Sequence, residues 1–255
     1  MPLPVFIGYD PREHDAYKVA AYSVIAHASK SVRVFPLDHM ALRRKGIFTR
    51  PWRIDEEGKF WDDRDGRPFS TAFSHSRFLV PHLAREMGES WALFLEADMV
   101  VTGDVWEVFD HADDQYAAFC VKHDHRVVEG VKMDGQAQQN YNRKNWSSFT
   151  LWNVDHFANA ALTPEAVNSA TGSWLHAFSW LKDAEIGALP QEWNYLVGYT
   201  ALDTGVKPKN YHFTEGVPAF DGYADVPHAD IWRREYFNSL HPSPLKWAQL
   251  KQAGI

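Results

Sequence analysis

A single cysteine in 255 residues rules out an internal disulfide. Cys120 sits in the apolar run Tyr116-Ala-Ala-Phe-Cys-Val121, where a buried, inert thiol is expected. A reducing cytoplasm fits that usage. No apolar run approaches the roughly 20 residues that cross a bilayer, so no transmembrane segment is expected. The start, Met1-Pro-Leu-Pro-Val-Phe-Ile-Gly8, lacks the basic segment and apolar stretch of a secretory signal, and a cytoplasmic location is expected. Positive charge is also short. Lys and Arg number 26 against 33 Asp and Glu, and the net charge of −7 gives no general attraction to nucleic acid. An acidic chain still binds an anionic nucleotide where a metal ion supplies local positive charge. Internal repeats, low-complexity tracts and clear linkers are lacking too, so residues 1–255 read as one domain. Nothing in the sequence specifies an oligomeric state.

What is present is a core. Hydrophobic residues make up 45% and charged residues 23%, which is globular rather than disordered. Val5-Phe-Ile-Gly8 reads as a buried strand. Asp10, Pro11 and Glu13 read as a helix start with a capping box, and the helix runs to about Ala28. Val32-Arg-Val-Phe35 is a second strand, so the first 35 residues form a βαβ unit and predict an α/β fold with a parallel sheet. Residues 39–70 lack a period and read as a surface excursion. Phe73 to Met87 reads as a helix that carries Arg77 and is kinked or split at Pro81. Trp91–Leu95, Tyr116–Val121, Ser147–Asn153 and Asn210–Phe213 read as further strands, and Leu162–Leu181 as helical pieces. Residues 123–145 read as a polar loop able to close over a ligand, and residues 228–255 as a helical tail with an amphipathic helix over Asp230–Leu240.

The stretch with most chemistry is Trp91-Ala-Leu-Phe-Leu-Glu96-Ala-Asp98-Met-Val-Val101. Acidic pairs one residue apart are common: with 33 acidic residues roughly four arise by chance. Glu13/Asp15, Asp55/Glu57, Asp63/Asp65 and Asp183/Glu185 are others, and these read as solvated surface. Glu96/Asp98 differs because apolar runs flank it on both sides, where unpartnered charge is costly. It also stands at the carboxyl end of a strand, where open α/β sheets bind ligands. A divalent cation shared with a diphosphate relieves the repulsion. His212, in Tyr211-His-Phe-Thr-Glu-Gly216, is a candidate third ligand, and an imidazole favours Mn²⁺ over Mg²⁺. His123-x-His125 is a weaker candidate metal pair.

Taken in order, Ile7-Gly-Tyr-Asp10, the Arg77 segment, Glu96-Ala-Asp98, Leu189-Pro-x-x-Trp193-Asn194 and His212-x-x-x-Gly216 resemble retaining glycosyltransferases of family eight, such as glycogenin and bacterial lipopolysaccharide galactosyltransferases. The resemblance runs from about Val5 to Pro218. It implies the A-type glycosyltransferase architecture: a Rossmann-like mixed sheet flanked by helices. It implies an enzyme that moves a hexose from a nucleotide-diphosphate sugar, uridine-linked, to a carbohydrate or other acceptor with retention. Gly8, Tyr9 and Asp10 match the loop that holds the nucleoside, and Arg77 matches the helix Arg on the donor. Asp98 and His212 match metal ligands, Gly216 the phosphate-binding glycine, and Asp183 an acidic segment near the transferred sugar. Glu96 stands where the family has Asp, as a metal ligand or a ribose contact. Val217-Pro218 stand where the family has Lys-Pro-Trp, leaving Lys122 or Arg143 to supply charge to the diphosphate. Retention leaves two routes: attack on the front face, or a covalent intermediate on a carboxylate such as Asp183. Trp146 and Trp193 are candidates for stacking on sugar, with core packing the simpler use of Trp193. A nucleotidyltransferase and a non-catalytic carbohydrate-binding protein are the alternative readings.

Overall fold

The computed structural model describes residues 2–123 and 143–254. The chain opens with β1 (Leu3–Tyr9), α1 (His14–His27), β2 (Val32–Asp38) and α2 (His39–Arg44), followed by short strands β3 (Trp52–Ile54), β4 (Phe60–Asp62) and β5 (Arg67–Phe69). Next come α3 (Val80–Glu86), β6 (Trp91–Leu95), β7 (Met99–Val101), β8 (Ala118–Cys120) and β9 (Phe149–Asn153). The remainder is α4 (Pro164–Ser169), α5 (Gly172–His176), β10 (Ile186–Ala188), β11 (Tyr195–Leu196), β12 (Asn210–His212), α6 (Ala229–Leu240) and α7 (Pro244–Gln252).

Six strands form the main sheet in the order β10-β8-β9-β6-β1-β2. β1 lies parallel to both β2 and β6, β10 is parallel to β8, and β9 runs antiparallel between β6 and β8. The expected mixed α/β sheet is therefore present. Its centre is apolar on both faces, with Val5, Ile7, Leu93, Phe94 and Leu95 all buried. Each such side chain contributes about 1.5–3 kcal/mol by leaving water. α1, with Val19, Ala20, Ala21 and Val24 buried, packs against β1, β2 and β7, and α6 and α7 pack against α1.

Two local expectations need correction. Residues 39–70 are not an irregular excursion: they hold α2 and the three-stranded antiparallel sheet β3-β4-β5. Glu13 does not close a capping box. Asp10 caps alone, accepting from the Arg12 amide, and the Glu13 carboxyl turns towards a cavity. The Phe73–Met87 segment splits as Pro81 requires, into a 3-10 turn at Ser76–Leu79 and then α3, with the proline in the first turn where no amide hydrogen is needed. The tail carries the expected helix at 229–240 and a second one, α7. The expected closing loop lies almost wholly outside the described residues, as does His125 of the His123-x-His125 pair. Among the described residues, no helix is long and apolar enough to cross a membrane.

Candidate metal and ligand site

The site is made where β6 ends. Beyond Leu95 the chain turns through Glu96, Ala97 and Asp98 into β7, which leaves the main sheet and pairs with β12 in a separate three-stranded sheet. The antiparallel register sets His212 opposite Met99, and the Phe213 amide donates to the Asp98 carbonyl at 2.9 Å. That pairing brings a histidine from late in the chain beside the two carboxylates. His212 Nε2 lies 3.2 Å from Glu96 Oε2 and 3.4 Å from Asp98 Oδ1.

The other nitrogen fixes the ring. His212 Nδ1 lies 2.9 Å from Asn194 Oδ1, while the Asn194 amide nitrogen donates to Ser148 Oγ at 2.8 Å. With its amide thus oriented, Asn194 accepts from Nδ1, and Nε2 faces the carboxylates. Arg77 holds the opposite side. Its guanidinium lies between the rings of Phe73 and Phe94, 5.3 Å from each centroid, and meets Glu96 Oε1 at 2.5 Å. A second Arg77 nitrogen donates to the Ser147 carbonyl at 3.2 Å.

The charges interact strongly. Burial alone would raise the Glu96 carboxyl, but Arg77 and His212 hold it well below the usual carboxylate range. Burial alone would lower His212, yet Asp98 and Glu96 push it up to about 9. Glu13 is pushed up to about 8 by burial first, then by the neighbouring Asp98 and Asp10 carboxylates. His176, beside Ser147 at 3.0 Å, is held well below its ordinary value by burial and then by Arg77.

Glu96, Asp98 and His212 offer ligand atoms close enough together to hold one cation. The donor set suits it. Asp98 Oδ1 is buried and lacks a hydrogen-bond partner among the described residues, and the carboxylate–imidazole mixture fits a divalent ion. The triad borders a cavity of about 530 Å³, lined also by Glu13, Arg77, Ser147, His176, Gly216 and Tyr223.

A second cluster, Asp62, Asp65 and His75, borders the same cavity. Here the cation is already a side chain. Buried Arg50 meets Asp62 Oδ2 at 2.5 Å and Asp65 Oδ1 at 3.2 Å, and also donates to the carbonyls of Val167 and Ala170.

Of the residues expected from sequence, the structure brings Arg77, Glu96, Asp98, His212 and Gly216 to the cavity. It does not bring the others. Gly8 lies under Phe73, where an added Cβ would stand 2.4 Å from the ring. Tyr9 reaches His14 and packs edge-on against Tyr17. Asp10 is fully buried, bonded to Arg12 and to the Ala72 amide. Lys122 donates to the Ile186 carbonyl at 2.7 Å. The Asp183 carboxylate is exposed and paired with Arg143 at 2.5 Å, so it faces solvent rather than the cavity. The Gly216 amide itself donates to the Phe213 carbonyl at 3.0 Å. Trp193 is core, stacked on Phe149, and Trp146 donates its indole N–H to the His123 carbonyl. Sequence reasoning missed Glu13 as a cavity residue, and also His176 and Ser147. The only available signal for Glu13 was a carboxylate three residues beyond Asp10 of the first strand's loop.

No family model matches the sequence. The protein CDI of Arabidopsis thaliana is 43% identical over 237 residues, which cover 92% of this chain and 86% of that one. Among solved structures, the bifunctional glycosyltransferase WbbM in its apo form aligns with 100% of this chain and 52% of its own, at 18% identity and a TM-score of 0.58. The glycosyltransferase GlyE of Streptococcus pneumoniae TIGR4 aligns over 99% of this chain and 63% of its own, at 12% identity and a TM-score of 0.58. The galactosyltransferase LgtC, in complex with donor and acceptor sugar analogs, aligns over 96% of this chain and 99% of its own, at 13% identity and a TM-score of 0.58. The chain thus spans about half of WbbM and under two thirds of GlyE. At these identities the likeness is one of fold, and the fold is the glycosyltransferase architecture that the sequence resemblance implied.

Proposed function

The chain belongs to the family of the Arabidopsis thaliana protein CDI, and from its glycosyltransferase fold and its carboxylate–histidine cluster we propose that it is a metal-dependent glycosyltransferase of one domain. It moves a hexose from a nucleotide-diphosphate sugar, uridine-linked, to a carbohydrate or other hydroxyl acceptor, with retention. The observation that carries this reading is the meeting of Glu96, Asp98 and His212 at the end of β6, on the wall of a 530 Å³ cavity. Ligand sites of open α/β sheets lie at such strand ends. The glycosyltransferase fold supports the choice of donor class.

Asp98 and His212 would hold the ion, Mn²⁺ in this reading, with Glu96 assisting, and once bound it would supply Lewis-acid stabilisation of charge on the donor diphosphate. The residues do the remaining work. Asn194 keeps His212 Nε2 facing Glu96 and Asp98, where a cation would be held. Arg77 carries positive charge into the cavity and locks Glu96, so the carboxylate does not swing away. Neutral His176 and the Ser147 hydroxyl offer hydrogen bonds to sugar hydroxyls. Attack on the front face fits better than a covalent intermediate on Asp183, because that carboxylate is turned to Arg143 and solvent.

The test is thermal unfolding with uridine diphosphate and Mn²⁺, separately and together, followed by donor hydrolysis. Stabilisation that needs both ligands, and a loss of at least 100-fold in hydrolysis for Asp98→Ala, is expected. Wild-type hydrolysis in Asp98→Ala rejects the metal assignment, and carbohydrate binding without any nucleotide binding rejects the enzyme.

A further inference from the structure

Beside the main cavity lies a second hollow of about 290 Å³. The two share one wall, because Phe213, Thr214, Glu215 and Gly216 line both. His212 directly precedes that wall. Three residues of extended chain reach at most about 11 Å, so a molecule resting on Glu215 is never far from the carboxylate–histidine group.

The remaining lining, including Val197, Gly198, Val226 and Pro227, is mostly apolar. Tyr199 borders the hollow with 61% of its surface exposed, which leaves its ring open to a ligand. Its position is nevertheless fixed, since the hydroxyl donates to Glu215 Oε1 at 2.6 Å. The hollow therefore offers an aromatic surface, a carboxylate at the ring's edge and an apolar floor. Its described lining contains no Lys, Arg or His, and Glu215 contributes negative charge. A phosphate or carboxylate ligand is repelled there. A neutral pyranose is suited: its C–H face packs on the ring and its hydroxyls donate to the carboxylate.

We propose that Tyr199 and Glu215 form the subsite for a neutral sugar ring of the acceptor, set against the wall shared with the donor cavity. This rests on the reading of the chain as a nucleotide-sugar transferase. The subsite defines the acceptor class as a neutral glycan or glycoside and separates it from the anionic donor.

The experiment uses the full chain with uridine diphosphate and Mg²⁺, which is diamagnetic, and a panel of glucose, galactose, mannose, lactose and maltose. Saturation-transfer-difference NMR reads contact with the sugar C–H protons, and calorimetry reads nucleotide affinity. At least one sugar is expected to give a signal that falls fivefold or more in Tyr199→Ala and in Glu215→Gln. Nucleotide affinity stays within twofold in Tyr199→Ala, whose side chain borders only the second hollow, and circular dichroism is unchanged in both variants. Tyr199 is exposed, so its truncation leaves the core intact. Wild type that binds nucleotide but contacts none of the sugars overturns the subsite and leaves the transferase reading standing. So does a sugar signal that survives both substitutions. Wild type that contacts sugar through Tyr199 yet binds no nucleotide overturns the transferase reading and the acceptor role with it.

Discussion

Asn194 determines which nitrogen of His212 faces the acidic pair: its side-chain oxygen lies 2.9 Å from His212 Nδ1 and leaves Nε2 directed at Glu96 and Asp98. A histidine aimed in this way is a better metal ligand than one free to rotate or change tautomer. Asn194→Ala is expected to weaken Mn²⁺ binding by about 10- to 100-fold, measured by calorimetry. Unchanged affinity would show that the ring is held by something else.

Metal binding should also depend on pH, and the direction follows from His212. Its two carboxylate neighbours raise it to about 9, so the ring is protonated at neutral pH when no ion is bound. An incoming cation must displace that proton. Below pH 9 the apparent affinity for Mn²⁺ should therefore rise by about tenfold per pH unit. Titrations at pH 6.5 and 7.5 give the comparison, and equal constants remove His212 from the ligand set.

Gly8 answers a packing requirement. Its Cα lies against Phe73, and the Phe73 ring is one side of the slot that holds Arg77. Gly8→Ala would force that ring to move, at a cost of about 1–3 kcal/mol for overpacking. Chemical denaturation should show a lower midpoint with an unchanged slope. A midpoint equal to wild type would mean the ring moves freely.

Arg50 is expected to matter for folding more than any exposed charge. Replacement by Met leaves Asp62 and Asp65 buried with no guanidinium between them, a loss of about 3–5 kcal/mol. The substitution should loosen the link from β4 to α4 as well, since Arg50 also reaches the Val167 and Ala170 carbonyls. Hydrogen exchange at residues 164–172 reads this directly, and unchanged protection there contradicts the role.

Five of the six main-sheet strands were legible as largely apolar runs, while the three-residue β10 was not, and Glu96/Asp98 stood out because charge stands between two such runs. His212 was legible only through order and resemblance, since nothing local shows that β12 pairs with β7. The β3-β4-β5 sheet was not legible. Its strands are three residues long, and β3 and β5 are mostly exposed, too short for an alternating pattern to be read. Arg50 gave no sign of burial, because its partners at Val167 and Ala170 lie more than a hundred residues away. Asp183 illustrates the opposite error: a plausible position in the motif order, and a side chain that instead pairs with Arg143 in the open.

The partners at the end of β6 come from segments separated by more than a hundred residues. An ion shared between Asp98 and His212 would act as a removable staple across that long span, adding to the β7–β12 pairing and the contacts beside it that close the same loop in the unbound chain. Chelation would then be felt well beyond chemistry, as earlier fraying and faster protease nicking in the stretch between the two ligands.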